Sequence, residues 1–258
     1  MAERNMNLYD VVIPLKEQSK HIDLLYTLRA LDKFGGDEIR NVFVVGDCPK
    51  WIKNVIHIPT EQACGDKHIA TRLNRDVINN CPLISQDYIY FNDDFILSKP
   101  VKSWEELCNV NCGTLAEREE INKSLKPSLW RSGFTFNREL LQKLGVDNPL
   151  NFEFHGAMIF NRQKRNELKT IKEIKKHWLI SDPLLFERSL YGNVFGRSDG
   201  RKIRDNKLFS DISSEEILLE NGFFSVKDNV INSEEAPNLN TWLKQNFCFK
   251  SCFEKLAF

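Results

Sequence analysis

The chain has 258 residues, 41% of them hydrophobic and 28% charged, and its 36 basic and 36 acidic side chains cancel to a formal charge of zero. This is an ordinary globular composition, with enough length to bury a sizeable core as one large α/β domain or as a domain with an appendage. Zero net charge excludes a global field that gathers polyanions, so a nucleic-acid partner needs a local basic patch. The opening MAERNMNLYDVVIPLK lacks the apolar run of a signal peptide, and no run of about eighteen apolar residues occurs anywhere, which predicts a cytoplasmic protein with no membrane partner. The seven cysteines are scattered without a CxxC. Cys108 and Cys112, like Cys248 and Cys252, lie four apart but lack the histidines of a zinc site, so reduced thiols are expected throughout.

DVVIPL (10–15) is a β-rich run, and HIDLLYTLRALDKFG places Leu24, Leu25, Leu28 and Leu31 at helical spacing before the Gly35-Gly36 stop. NVFVVG (41–46) and VIHIP (55–59) read as a second and third strand, DKHIATRLNRDVINNC as a helix, and DYIYFNDDFIL (87–97) as a fourth strand carrying Asn92-Asp93-Asp94. This order predicts an α/β class with a mostly parallel central sheet flanked by helices. Ligands of such sheets bind beyond the carboxyl ends of the strands. Those ends carry Pro14-Leu15-Lys16, Gly46-Asp47, Ile58-Pro59 and the acidic triplet. After Pro100, FTFNRELLQKLG (134–145) reads as a helix with a glycine C-cap, FEFHGAMIFN (152–161) as a strand and NRQKRNELKTIKEIKKHW (161–178) as a basic amphipathic helix. SDPLLFERSLYGN follows as a helix, GRSDGRKIRDNK as a basic loop, FFSVKDNVIN as a late strand and the last twenty residues as a packing tail.

Two adjacent carboxylates in an apolar strand need compensation. Either Asp93 and Asp94 hold a hard divalent cation, Mn²⁺ or Mg²⁺, or the triplet is a solvated turn. Glu153 and Asp182 are candidate general bases, although Asp182 equally suits a helix N-cap. Lys67 and Arg72 sit on one helix within reach of a phosphate, and Arg201 and Lys202 occupy a glycine-containing basic loop able to close over a diphosphate. Trp130-Arg131 can stack on a ring or be core. In the basic helix, Arg162, Lys164, Arg165, Lys169, Lys172, Lys175 and Lys176 face only Glu167 and Glu173. That is a solvated face or a contact to a DNA backbone.

The succession VIPL, TLRAL, NVFVVG…W…NVIHIP and YFNDDFIL resembles the nucleotide-sugar-dependent glycosyltransferases of GT-A fold. It is most similar to a group of tailed bacteriophages and bacteria with capsule-type sugar transferases among its relatives. FEFHGAMIFN, FERSLYGN and KSCFEK resemble later blocks of that group. The resemblance implies one glycosyltransferase domain, with residues 1–100 binding the nucleotide-sugar and 101–258 binding the acceptor. It implies a metal on the donor diphosphate, probing Asp94 as ligand and Asp93 as ligand or ribose contact, since Asn92 replaces the first aspartate of an Asp-x-Asp motif. His155 is implied as third ligand or acceptor contact, and Arg29 as facing the nucleotide beside Pro14 and Lys16. The donor is expected to be UDP-linked. The acceptor is either a hydroxylated or hydroxymethylated base in phage DNA, reached through the basic helix and base flipping, or a saccharide. A metal-dependent phosphodiesterase or nuclease is the reading from another class, but only Asp47 offers a further strand-end carboxylate for a second metal. A DNA-binding module leaves the acidic strand end unexplained.

Overall fold

The structure, a computed structural model, describes residues 8–16, 21–60, 66–196 and 200–255, without the side chain of Lys67. The strands among these residues are β1 (Tyr9–Leu15), β2 (Ile39–Gly46), β3 (Ile56–Ile58), β4 (Asp87–Tyr90), β5 (Phe95–Leu97), β6 (Val110–Asn111), β7 (Met158–Asn161), β8 (Arg201–Lys202), β9 (Lys207–Leu208) and β10 (Phe223–Val226). The main sheet runs β3-β2-β1-β4-β7, parallel except for β7, which lies antiparallel to β4. Because helices cover both faces, β1 and β2 are apolar on both. Val11, Ile13, Val42 and Val44 pack with Leu24 and Leu28 of helix Ile22–Phe34, while Val12, Phe43 and Val45 share the opposite core with Ile78, Phe134 and Leu141. β3 is an edge strand and is largely exposed.

The predicted fourth strand is divided. β4 stays in the main sheet, the chain turns at Asn92–Asp94, and β5 enters a second sheet of order β5-β10-β9. Fully buried Phe91 and Phe95 flank the turn with ring centroids 4.3 Å apart. Phe95 N–H closes the turn onto the Asn92 carbonyl at 3.3 Å. The two phenylalanines thus anchor a polar turn that neither residue type nor alternation would otherwise hold in place.

The basic segment 161–178 forms two short helices, Arg162–Thr170 and Lys172–Lys175. Its charges are partly spent inside the protein. Arg165 is fully buried and bonds Glu187, and its guanidinium reaches Asp76 at 3.1 Å. Arg75 meets Glu187 from the other side at 3.1 Å. Arg162 donates to the carbonyls of Asn79 (2.8 Å) and Ile84 (2.9 Å), bracing the end of helix Lys67–Asn80. The expected row of solvent-facing cations therefore loses Arg162 and Arg165, because their partners come from helix Lys67–Asn80, the following loop and helix Glu187–Val194. Lys164 stays exposed, its ammonium 6.0 Å from the Phe195 ring centroid.

Further boundaries differ from the sequence reading. Only the last four residues of 152–161 are strand, the helix of 134–145 begins earlier, at Leu129, and the one of 181–193 covers Glu187–Val194. The tail does pack. Glu254 takes both Nε and Nη2 of Arg29 at 2.8 Å, and Phe247 accepts from Arg29 Nη1 at 2.9 Å. Arg29 is thus engaged with the tail instead of a nucleotide. The six described cysteines, Cys48, Cys81, Cys108, Cys112, Cys248 and Cys252, are free, and Cys64 lies outside the described residues. No helix among the described residues is long and apolar enough to cross a membrane.

The two kinds of basic residue in 161–178 predict opposite outcomes. Arg165→Ala leaves Glu187 with Arg75 alone and Asp76 with Lys169 alone, empties a fully buried site and should cost about 3–5 kcal/mol, whereas Lys164→Ala should stay within about 0.5 kcal/mol. Urea unfolding of the two variants measures the difference, and equal midpoints would contradict the buried network.

Candidate active site at the carboxyl edge of the sheet

The acidic turn is pinned from several directions. Thr27 Oγ1, on helix Ile22–Phe34, donates to the Asp93 carbonyl at 2.6 Å. Asp94 is 8% exposed; its Oδ2 accepts from Ser225 Oγ of β10 at 2.6 Å and from Lys207 Nζ of β9 at 3.3 Å. Part of the compensation that the sequence reading assigns to a metal is therefore supplied by the second sheet. It is incomplete. Asp94 Oδ1 and Asp23 Oδ1 are buried without a hydrogen-bond partner.

Asp23, Asp93, Asp94 and Asp228 act on one another electrostatically, with Lys207 the opposing cation. Burial, followed by the charge of Asp94, pushes Asp93 up to about 6. Burial, followed by the charges of Asp93, Asp94 and Asp228, pushes Asp23 up to about 7. Asp47, the further carboxylate expected from sequence, instead pairs with His21 Nε2 at 3.0 Å. The oxygen donors of Asp23, Asp93 and Asp94 suit a hard divalent cation, and two of those oxygens lack any other partner. Among the described residues no three acidic, histidine or cysteine side chains already converge as ligands. The fit is one of chemistry, not of a preassembled cage.

Asp23 and Asp228 of this cluster line one cavity, and Lys207 lines another. The first, of about 980 Å³, is walled by His21 and Asp23 at the start of helix Ile22–Phe34, Lys50 and Trp51 beyond β2, Asp228 beyond β10, and Lys250 and Lys255 of the tail. The cavity reached by Lys207, of about 930 Å³, also contains Trp130, Glu153, His155 and Asp205. It shares Trp130, Glu153 and His155 with a smaller cavity of about 190 Å³ that holds Asn92 and Arg72. His155 Nδ1 lies 2.9 Å from Asp205 Oδ2, and Asp205 Oδ1 accepts the His155 backbone N–H at 3.0 Å. The imidazole at its side holds the Asp205 carboxyl below the usual range against the opposing effect of burial. With Asp205 accepting from Nδ1–H, Nε2 is the basic nitrogen, a tautomer assigned from this pairing.

The remaining predicted residues divide. Glu153 Oε1 accepts from Ser189 N–H at 2.9 Å. Arg72 is 3% exposed, donates to the Ile180 carbonyl at 2.8 Å and keeps a buried Nε without a partner; burial lowers its pKa. Lys202 binds Glu117 at 2.9 Å, and Arg201 is exposed beside it in β8. Trp130 packs at a tilt against Phe186, with ring centroids 4.6 Å apart, and Arg131 donates to the Lys126 carbonyl. Pro14 lies within β1 opposite Val45, and Lys16 is exposed just past that strand's end. Asp182 is exposed and lines none of these three cavities. The side chain of Lys67 lies outside the described residues. Sequence reasoning missed Asp23, Asp205, Lys207, Ser225 and Asp228. For Asp205 and Lys207 a signal existed: two residues apart at a strand entrance, they share a face.

No family model matches the chain. It is 34% identical over 94 residues to a capsular polysaccharide phosphotransferase of Neisseria meningitidis serogroup B, covering 32% of this chain and 25% of that protein. It is 32% identical over 92 residues to the capsular polysaccharide phosphotransferase fcs1 of Haemophilus influenzae, covering 32% and 25%. The chain thus spans about a quarter of the length of these curated relatives. Among solved structures, the galactosyltransferase LgtC in complex with donor and acceptor sugar analogs matches with a TM-score of 0.52 at 10% identity, over 96% of this chain and 97% of that one. The bifunctional glycosyltransferase WbbM in its apo form matches with 0.53 at 11% identity, over 97% of this chain and 51% of that one. The fold is the GT-A-like mixed α/β fold of these glycosyltransferases, a central sheet flanked by helices.

Asp23 supplies a pH test. Its folded-state pKa is raised, to about 7, so its contribution to stability is present at low pH and is lost as pH rises through that value. Asp23→Asn, permanently neutral, should match the wild type near pH 3, below the ordinary aspartate pKa of 3.8, and exceed it at pH 8. After discounting for solvent screening, the gain is on the order of 1–2 kcal/mol, or about 2–6 °C in Tm. A calorimetric scan at both pH values checks it; a pH-independent difference would show that Asp23 is not a frustrated carboxylate.

Proposed function

We propose that this chain is a transferase that uses a nucleotide-diphosphate sugar, UDP-linked, as donor and a saccharide hydroxyl as acceptor. The observation that carries the reading is the carboxylate cluster at the carboxyl edge of the sheet, whose Asp23 and Asp228 line one cavity and whose Lys207 lines another, in a fold shared with LgtC and WbbM. The cavity containing Trp51, Lys50, Lys250 and Lys255 is the donor side, with an aromatic face for a base and ammonium groups for phosphates. Residues 21–51 supply one wall of it, and residues 228–255 supply the other. Asp94, Asp93 and Asp23 would hold the divalent cation, which when bound neutralises charge on a leaving diphosphate.

On the acceptor side, His155 takes the proton of the attacking hydroxyl at Nε2, while Asp205 holds the ring and stabilises the imidazolium. Glu153, on the wall common to both acceptor-side cavities, orients the acceptor. This role for His155 replaces the metal-ligand role implied by resemblance, and it replaces Asp182 as base. A saccharide is favoured over a DNA base because Arg165 and Arg162, needed for a basic DNA-facing helix, are engaged internally.

A second reading rests on the partial identity to capsular polysaccharide phosphotransferases. In it the acceptor oxygen attacks phosphorus, a P–O bond breaks, and a sugar phosphate is transferred. The leaving group separates the readings: glycosyl transfer releases a nucleoside diphosphate, and sugar-phosphate transfer a nucleoside monophosphate.

Thermal shift with UDP-, GDP- and CDP-sugars should show one nucleotide raising Tm by about 5–8 °C near saturation, only with Mn²⁺ or Mg²⁺. Asp94→Asn should abolish that cation dependence, and His155→Ala should retain donor binding while lowering kcat by roughly 10²–10⁴. Chromatography of the released nucleotide decides between the two transfers. No shift with any nucleotide would overturn the proposal.

A further inference from the structure

We propose that the cavity of about 930 Å³ is built for an anionic saccharide, one carrying carboxylate or phosphate groups. Calling that ligand the acceptor rests on the transferase reading above; the binding site itself stands on the following observations.

The cavity has an aromatic wall that is already ordered. Trp130 is 41% exposed, yet its ring is backed by Phe186 at 4.6 Å and Phe134 at 5.7 Å. Phe209, 66% exposed just beyond β9, also lines the cavity. Held aromatic faces present C–H-binding surfaces to sugar rings at little conformational cost.

The charges are arranged unevenly. At its rim Lys202 is neutralised by Glu117 at 2.9 Å, Lys207 by Asp94 at 3.3 Å, and Glu120 is matched by Lys123 at 2.6 Å. Arg118, Arg131 and Arg204 also line the cavity, and none has a carboxylate within ion-pair distance among the described residues. Arg118 lies 5.9 Å from the Phe134 ring centroid, and Arg131 donates to a backbone carbonyl. In a chain of balanced charge, three guanidiniums without counter-ions in one aromatic-walled cavity are a recognition feature. A guanidinium fork matches the paired oxygens of a carboxylate or phosphate. His155 and Asp205 share this cavity, so a sugar stacked on Trp130 brings its hydroxyls towards the basic nitrogen.

Isothermal titration calorimetry on the full chain at low salt tests this with tetragalacturonate, 6-phosphorylated maltotetraose, maltotetraose and a short DNA duplex. At least one anionic saccharide should bind tenfold or more tighter than maltotetraose, and the tighter of the two identifies carboxylate or phosphate as the recognised group. Arg118→Gln and Arg204→Gln should each weaken the anionic ligand about fivefold and leave maltotetraose unaffected, while Trp130→Ala weakens both. Both arginines are exposed, so their variants should keep the wild-type Tm. Equal binding of neutral and anionic saccharides, binding of none, tighter binding of the duplex, or indifference to the arginine changes would overturn the proposal. Nucleotide-dependent stabilisation of the same variants separates the two claims. If it persists while the saccharides fail, only the anionic-saccharide assignment falls; if it is absent from the wild type as well, the transferase reading falls.

Discussion

The contact of Asp94 with Lys207 and Ser225 ties the two halves of the site together. Asp94 belongs to the turn at the edge of the main sheet, while Lys207 and Ser225 come from β9 and β10 of the second. A carboxylate this buried needs donors, and the donors available are strands that must be brought up against the turn. Once Lys207 is fixed, Asp205 is fixed two residues earlier on the same face, and with it His155. The electrostatic need of one aspartate thus sets where the basic nitrogen of the site lies relative to the acidic turn.

Charges are buried in two distinct ways. Glu187, Arg165, Arg75 and Asp76 form a matched set, each with opposite charge at hydrogen-bond distance, and this set joins three helices. Asp23, Asp93, Asp94 and Asp228 are unmatched except for Lys207. A matched network is complete as it stands, whereas an unmatched one retains a standing attraction for a cation. The difference is the physical ground for assigning a structural role to the first and a ligand-binding role to the second, although both look the same as entries in a net charge of zero.

The parts of the fold that could be read from sequence are those whose determinants are local. β1 and β2 are long apolar runs, helix Ile22–Phe34 repeats its leucines, and helix Lys67–Asn80 begins at Asp66, whose carboxylate accepts from His68 and Ile69 N–H. The acidic triplet was visible because it interrupts such a run. Its surroundings were not. Ser225 reaches Asp94 across 131 positions of sequence, and no spacing rule spans that distance. β6, β8 and β9 are two residues each, too short for any period. Residues 152–157 imitate a strand because Phe152 and Phe154 are buried in alternation, while Glu153 and His155 turn to the cavity. The alternation was genuine, but it belongs to a loop held by Arg188, which donates to the carbonyls of Phe154 and Gly156 at 2.9 and 2.7 Å. The basic segment misled for the converse reason: a cation's partner is invisible in sequence when it arrives from another helix.

Arg29 shows how far this reasoning extends. A charged residue in an apolar helix invites a ligand, and the resemblance placed a nucleotide there, yet its guanidinium is taken by Glu254 and the Phe247 carbonyl. The same clamp lays the tail along the β2–β3 connection, where Lys255 N–H meets the Trp51 carbonyl at 2.8 Å and Lys53 N–H meets the Phe253 carbonyl at 2.9 Å. Lys250 and Lys255 consequently stand on the wall of the proposed donor cavity beside Lys50 and Trp51. Arg29 acts on that cavity without touching it, by holding in place the segment that supplies its cations. The charged residue in the helix is therefore explained by the cavity wall it assembles, and the donor side depends on the last residues of the described chain as much as on the strands that begin it.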